Sequence, residues 1–149
     1  MNHRYASAAV VKDGTPEPAF AHDKELFYSA TTWPGAHLPH VWLDRRGERI
    51  STLDLCGKGR FTLLTGIGGE AWVAAAVSKA MGAEIAAYVI GPERDAVSIY
   101  ADWPDTRETE DSGCLLVRPD MVVAFRAPRI TAEAEGELRQ ALAQILLCA

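Results

Sequence analysis

The sequence has few cysteines and no excess of positive charge. Its three cysteines, Cys56, Cys114 and Cys148, are far apart and odd in number, which excludes a disulfide framework. With 15 Lys and Arg against 20 Asp and Glu, the net charge is −5 and the pI is near 5.3, so the basic footprint of a nucleic-acid-binding protein is missing. No apolar run is long enough to span a bilayer, and the first residues lack a signal-peptide pattern. We therefore expect a reduced, cytoplasmic protein that binds neither nucleic acid nor membrane.

The composition is typical of one globular domain. The chain has 149 residues, of which 48% are hydrophobic and 23% are charged. A chain of this size can bury a core without disulfides or metals. Residues 1–33 contain Pro16 and Pro18 close to Gly14, which disfavours helix and central strand. We interpret residues 1–33 as a lead-in arm or linker that needs a surface to lie against, and residues 34–149 as the folded domain.

The stretch Phe61–Gly82 organises the domain. It reads as a buried strand over Phe61–Thr65, a glycine turn and an amphipathic helix. The helical period predicts a buried stripe formed by Trp72, Val73, Ala76, Val77 and Ala80. Gly82 is placed to end the helix. The apolar run Ile85–Ile90 is a second strand, which a right-handed crossover makes parallel to the first.

Two hairpins and a closing helix complete the pattern. The predicted elements are a hairpin from Val41 through a turn at Asp44–Gly47 toward Leu55, a surface loop over 104–113, a hairpin of Leu115–Val117 with Met121–Phe125, and a helix capped by Thr131 that runs to Leu147. A parallel pair, an antiparallel hairpin and a final helix predict an α/β, thioredoxin-like fold. It would have a mixed central sheet, flanking helices and an N-terminal β-hairpin.

The glycine turn is the first candidate site. Gly66-x-Gly68-x-x-Ala71 fits a loose dinucleotide fingerprint. A dinucleotide site also needs an acid at the end of the next strand, whereas Glu84 stands at its beginning, and no Walker-type lysine follows the glycines. We predict that the glycines only let the backbone turn onto the helix. Sensing of a small ligand through Gly66 is kept as a remote hypothesis.

The cysteines are the second candidate. A redox-active thioredoxin-like protein needs a thiolate at the helix start, and Gly68, Gly69 and Glu70 occupy that place. Active members also keep a cis proline before the hairpin, where this chain has Asp111-Ser112-Gly113. Two independent requirements fail together, so we predict buried or incidental thiols and a redox-inactive domain.

Histidines and tryptophans are the remaining candidates. His37 and His40 form an H-x-x-H pair, but two ligands do not make a zinc site, and His3, His22 and the cysteines offer no supporting spacing. We predict no metal and a hydrogen-bonded structural role for His40. The tryptophans are spread along the chain and are expected to serve core or interface packing: Trp33, Trp42, Trp72 and Trp103.

Three stretches carry a resemblance to a known family. They read PGAHLPHVWL, ISTLDLCGKGRFTLLTGIGG followed by Trp72, and GCLLVRPDMVVAFR, and the earlier RYASAAVVKDGTPEP agrees with the same family. In these motifs the chain resembles the C-terminal domain of FAD-dependent aromatic hydroxylases of the phenol hydroxylase and chlorophenol monooxygenase type. The resemblance covers nearly the whole sequence in order.

The resemblance implies a domain without catalytic, cofactor-binding or metal-binding residues of its own. The parent enzyme would use FAD and NAD(P)H to oxygenate phenolic rings in aromatic degradation, with flavin and substrate held in its N-terminal portion. This domain would dock on that portion or contribute to a homo-oligomer. The alternative is a stand-alone peroxiredoxin-like thiol protein, since the proline-rich start and hairpin echo such proteins. That alternative requires Cys56 or Cys114 to be a thiolate near neutral pH.

Overall fold

The computed structural model describes residues 9–18, 30–78 and 83–147. The strands in these ranges are β1 Trp42–Arg45, β2 Glu48–Ser51, β3 Phe61–Thr65, β4 Ile85–Val89, β5 Val97–Ser98, β6 Cys114–Val117 and β7 Val123–Ala127. The helices are α1 Thr52–Leu55, α2 Glu70–Ala76, α3 Trp103–Thr106 and α4 Ala134–Leu147. Of these helices, none combines the length and apolar character that crossing a bilayer requires.

The central sheet has the strand order β4-β3-β6-β7. β3 and β4 are parallel, with Phe61 opposite Ile85, while β6 is antiparallel to both β3 and β7. Helices α2 and α4 contact each other, and residues of both join the same core cluster. A parallel pair linked by a helix, followed by a hairpin and a second helix on the same core, is the thioredoxin-like arrangement. The predicted fold class is confirmed.

Two cores cover the two faces of the central sheet. Alternate residues of β3 point in opposite directions, so Leu63 packs in the cluster of α2 and α4, while Leu64 packs in a second cluster. In β6, Leu116 and Leu115 divide in the same way. The second cluster also receives Leu43 from the smaller sheet, whose order is β2-β1-β5. Burial on both faces explains why the central strands are almost wholly apolar.

The N-terminal hairpin is present, but its second strand is shorter than predicted. β2 ends at Ser51, and Thr52–Leu55 forms the helical turn α1. The reason is a capping box: the Ser51 hydroxyl accepts from the Asp54 N–H at 3.3 Å, and the Asp54 carboxylate accepts from the Ser51 N–H at 2.8 Å. The turn itself uses positive φ at Arg46 and Gly47, which is typical of a two-residue hairpin loop.

The helix predictions are confirmed in place and corrected in detail. α2 ends at Ala76, so Val77 is 68% exposed rather than buried, while Ala80 and Gly82 lie outside the described residues. α4 begins at Ala134, and the Thr131 hydroxyl donates to Glu137 at 2.7 Å instead of capping the helix as predicted.

The region between β4 and β6 is more ordered than a surface loop. β5 pairs with β1, and α3 begins at Trp103 with Pro104 in its first turn, where a missing N–H does no harm. Arg107, inside the predicted loop 104–113, is only 8% exposed. The predicted surface loop over 104–113 is therefore confirmed for residues 108–112 and corrected at α3 and at the buried Arg107.

The described part of the lead-in arm lies against β7. The Val11 N–H donates to the Ala124 carbonyl at 2.7 Å, and Ala9 and Val10 are buried. The arm thus has the supporting surface that its composition requires. The boundary between residues 33 and 34 stays a prediction.

Candidate functional site

The junction between β3 and α2 is the place where redox-active proteins with this fold carry their reactive group. After Thr65 the backbone turns through Gly66, and the Gly69 N–H donates to the Gly66 carbonyl at 3.0 Å. Gly68 has φ of +92°, a conformation that side-chain-bearing residues rarely adopt. α2 then begins at Glu70.

Residues 111–113 fill the space beside this junction. The Thr65 hydroxyl donates to the Gly113 carbonyl at 2.6 Å, and the Trp72 indole N–H donates to the Ser112 carbonyl at 2.9 Å. Trp72 and Thr65 are both buried. Residues 111–113, which replace the proline of redox-active proteins with this fold, are therefore hydrogen-bonded directly to the end of β3 and the start of α2.

Close approach explains the two buried glycines of the turn. A Cβ at Gly66 would overlap the Asp111 carbonyl and lie 3.1 Å from Arg107 Nη1. A Cβ at Gly69 would overlap the Thr65 hydroxyl. These glycines make room for the protein's own atoms, which supports the interpretation of the turn as packing rather than phosphate binding. Glu84 lies beside the start of β3, at the opposite end of the parallel pair, and is 3.7 Å from Arg60.

The two described cysteines are buried thiols. Cys56 is 2% exposed, and burial raises its pKa to about 12 although the neighbouring Thr62 side chain lowers it. Cys114 is 1% exposed, and burial raises its pKa well above the usual range. Neither sulfur can supply a thiolate near neutral pH. Cys148 lies outside the described residues.

The paired histidines have separate surroundings. His37 Nδ1 lies 3.0 Å from the Leu38 carbonyl oxygen. His40 is exposed and packs edge-on against the Trp42 ring, with 4.6 Å between the ring centres. The hydrogen-bonded role expected of His40 is thus seen at His37. Across residues 9–18, 30–78 and 83–147, no three metal-ligating side chains come together. His3 and His22 fall outside those ranges, so the lack of a metal stays a prediction.

Two of the four tryptophans serve core packing, as predicted. Trp72 and Trp103 are buried in the two core clusters. Trp42 is half-buried beneath the Arg49 guanidinium, 4.1 Å from the ring centre. Trp33 donates through its indole N–H to the Thr15 carbonyl at 3.2 Å, which joins two distant parts of the arm.

An ionic cluster around Arg126 was missed from the sequence. Arg126 of β7 pairs with Asp13 of the arm at 2.7 Å and also donates to Thr15 at 3.1 Å. Both side chains of the pair are largely buried, at 10% and 14% exposed. Burial raises the pKa of Asp13, but hydrogen bonds from Thr15 and Arg126, together with the Arg126 charge, bring it below its usual value. The cluster fixes the arm to the sheet.

A groove at the carboxyl ends of β3 and β4 was also missed. It has a volume of about 410 Å³. Its walls include Ile67 from the glycine turn, Ile90 and Pro92 after β4, Val97 of β5, and Trp103 of α3. The sequence shows an isoleucine between the glycines of the turn, but it does not indicate which distant residues complete the groove.

The fold and its filled junction define a thioredoxin-like domain without a thiol at the helix start. The family model described as "Aromatic-ring hydroxylase, C-terminal" matches residues 31–147. The chain belongs to this family, as the sequence motifs predicted.

Curated relatives agree with this assignment. The chain is 50% identical over 148 residues to 2,4-dichlorophenol 6-monooxygenase of Delftia acidovorans, covering 98% of this chain and 25% of the relative. It is 41% identical over 136 residues to phenol 2-monooxygenase of Pseudomonas sp. (strain EST1001), covering 90% of this chain and 22% of the relative. The chain therefore spans about a quarter of the length of the relatives it matches.

A solved structure shows the same domain. The flavin-dependent monooxygenase PieE, in complex with FAD and substrate, matches with a TM-score of 0.90 and 48% identity. The match covers 100% of this chain and 26% of PieE. These relatives are monooxygenases, and the buried thiols argue against the peroxiredoxin-like alternative.

Proposed function

We propose that this chain is the non-catalytic C-terminal domain of a FAD-dependent phenol-type aromatic monooxygenase, and that its role is to pack against the FAD- and substrate-binding part. The observation that carries the proposal is the filled junction. The helix start, where this fold would hold a reactive group, carries only Gly68, Gly69 and Glu70. The neighbouring Ser112 and Gly113 carbonyls accept hydrogen bonds from Trp72 and Thr65 and close the space beside it. A domain without a reactive group can still dock on the FAD- and substrate-binding part and stabilise it.

The junction does not fit FAD. A dinucleotide phosphate needs free backbone N–H groups at a glycine turn and space above them. Here the Gly69 N–H is used by Gly66, and the space beside the turn is taken by the backbone of residues 111–113. We therefore assign no flavin step to this chain, and FAD and NAD(P)H belong to the remainder of the parent enzyme.

The names of the relatives support a phenolic substrate for the parent. Two curated relatives at 50% and 49% identity act on 2,4-dichlorophenol, and another at 41% acts on phenol. We infer aromatic degradation as the setting and the cytoplasm as the location. Self-association of the domain is a further prediction.

A chimera tests the proposal. The C-terminal quarter of PieE is replaced by this chain, a graft favoured by the TM-score of 0.90. We expect the chimera to retain FAD and monooxygenase activity, and PieE truncated before the graft to lose stability. Loss of FAD from a folded chimera, or flavin binding by the isolated 149-residue chain, would contradict the proposal.

A further inference from the structure

The groove beside the glycine turn, here called the Ile67 groove, is apolar on most of its walls. The residues that define it are Ile67, Ile90, Pro92, Val97, Trp103 and Pro104. Arg107 and Asp111 close one side. The Arg107 guanidinium is already bonded to Asp111 and to the Thr109 carbonyl at 3.0 Å, so its charge is compensated within the domain. The groove suits an apolar occupant better than an anion.

Exposed hydrophobic side chains gather at the rim of this groove. Ile67 is 42% exposed and Val97 is 36% exposed, and both line it. Ile99 and Tyr100 follow directly along the chain and are 40% and 61% exposed. Within the described residues, the other exposed large hydrophobics lie at the ends of α2 and α4. Exposed apolar side chains at an apolar groove are typical of an interaction surface.

The lead-in arm enters the domain next to the groove. The Thr32 hydroxyl donates to the Arg107 carbonyl at 2.6 Å, and the Thr31 hydroxyl donates to Glu108 at 2.7 Å. Arg107 is itself a wall of the groove. The last residues of the arm therefore lie beside the groove, whereas its earlier residue Val11 lies against β7.

We propose that the Ile67 groove is the surface on which the FAD- and substrate-binding part of the same polypeptide docks through an apolar segment. The occupant is named because the chain covers only 25% of its relative, so most of a full-length polypeptide lies outside it. The inference rests on the proposed function. It deepens that function by naming the surface.

Site-specific thiol labelling tests this assignment. Ile67→Cys and Tyr100→Cys are introduced separately, with Val77→Cys as the control because Val77 is 68% exposed and lies at the end of α2. Cys148→Ser removes the third native thiol, and the other two are buried. Each variant is labelled with a maleimide both as the 149-residue chain and in the PieE chimera, and peptide mass spectrometry reads each position separately.

We expect labelling at positions 67 and 100 to be at least about tenfold slower in the chimera than in the isolated chain, with the rate at position 77 unchanged. Equal rates in a chimera that retains FAD would overturn the groove assignment and leave the proposed function standing. A chimera that loses FAD while the groove is protected would contradict the proposed function alone. Protection in the isolated chain that rises with protein concentration would mean that a second copy occupies the groove, and would also overturn the assignment.

Discussion

Substitution of Gly69 by alanine probes how tightly the junction is filled. Gly69 has φ of −99°, which alanine adopts without strain, so the effect must come from contacts. The new methyl group would overlap the Thr65 hydroxyl and displace it from the Gly113 carbonyl. A buried carbonyl left without a partner costs about 1–3 kcal/mol, and forcing the neighbouring atoms apart adds about 1–3 kcal/mol.

The expected loss is therefore about 3 kcal/mol in the free energy of unfolding. For a domain of this size that is roughly 10 °C in Tm. Thr65→Ala removes the hydroxyl that the methyl group strikes, so Gly69→Ala should cost less in that background. The double-mutant cycle should give a coupling energy of about 1–3 kcal/mol.

Urea unfolding followed by circular dichroism measures all four corners of the cycle. Gly136→Ala is the matched control, because Gly136 lies exposed in α4 and a Cβ there meets only Glu133, at 3.8 Å. It should stabilise the protein by about 0.5–1 kcal/mol. A cost below about 0.5 kcal/mol for Gly69→Ala, or a coupling energy near zero, would refute the filled junction.

Three further predictions concern the arm and the thiols. Arg126→Met should destabilise the protein by about 1–3 kcal/mol, which is less than the cost of breaking a fully buried ion pair, and should speed tryptic cleavage after Lys12. The control is Arg139→Met, whose partner Glu135 is half-exposed and which should change stability by less than about 0.5 kcal/mol. Because the pKa of Asp13 is lowered in the folded state, the Asp13 carboxylate stabilises the fold fully above its unfolded pKa of about 3.9, and this stabilisation is lost as pH falls through the folded pKa. The difference in stability between the wild type and Asp13→Asn should therefore shrink in acid. Because the pKa of Cys56 is near 12 and its thiol is buried, a maleimide should react with it at pH 7.5 only as fast as the domain opens. Urea should accelerate this reaction.

Each of these predictions has a contradicting outcome. Equal tryptic rates in wild type and Arg126→Met would show that the ion pair does not hold the arm. A stability difference from Asp13→Asn that persists unchanged to pH 2 would place the effect outside the carboxylate. Rapid labelling of Cys56 in the native protein at pH 7.5 would reopen the thiol-enzyme alternative.

The central fold could be predicted because its signals are local. The strand Phe61–Thr65, its glycine turn and the following helix lie within one short stretch, and the absence of a thiol at Glu70 is visible in the sequence. The α1 turn was also readable, since Ser51 and Asp54 have capping-box spacing.

The surface features depend on distant parts of the chain. Arg126 and Asp13 are 113 positions apart, and nothing in either neighbourhood indicates the other. The Ile67 groove joins the glycine turn to Val97 and Trp103, which meet only once the two sheets are in place. Periodicity gives the buried face of an element but not which distant residues meet, so neither feature could be predicted.

Flavin binding by the isolated chain tests the central claim most directly. The 149-residue chain is mixed with FAD, passed through a desalting column and scanned for flavin absorbance, with PieE treated in parallel as the positive control. We predict a colourless chain beside a yellow PieE. Flavin that stays with the isolated chain in a one-to-one ratio would contradict the account of a domain whose own backbone occupies the place of a cofactor.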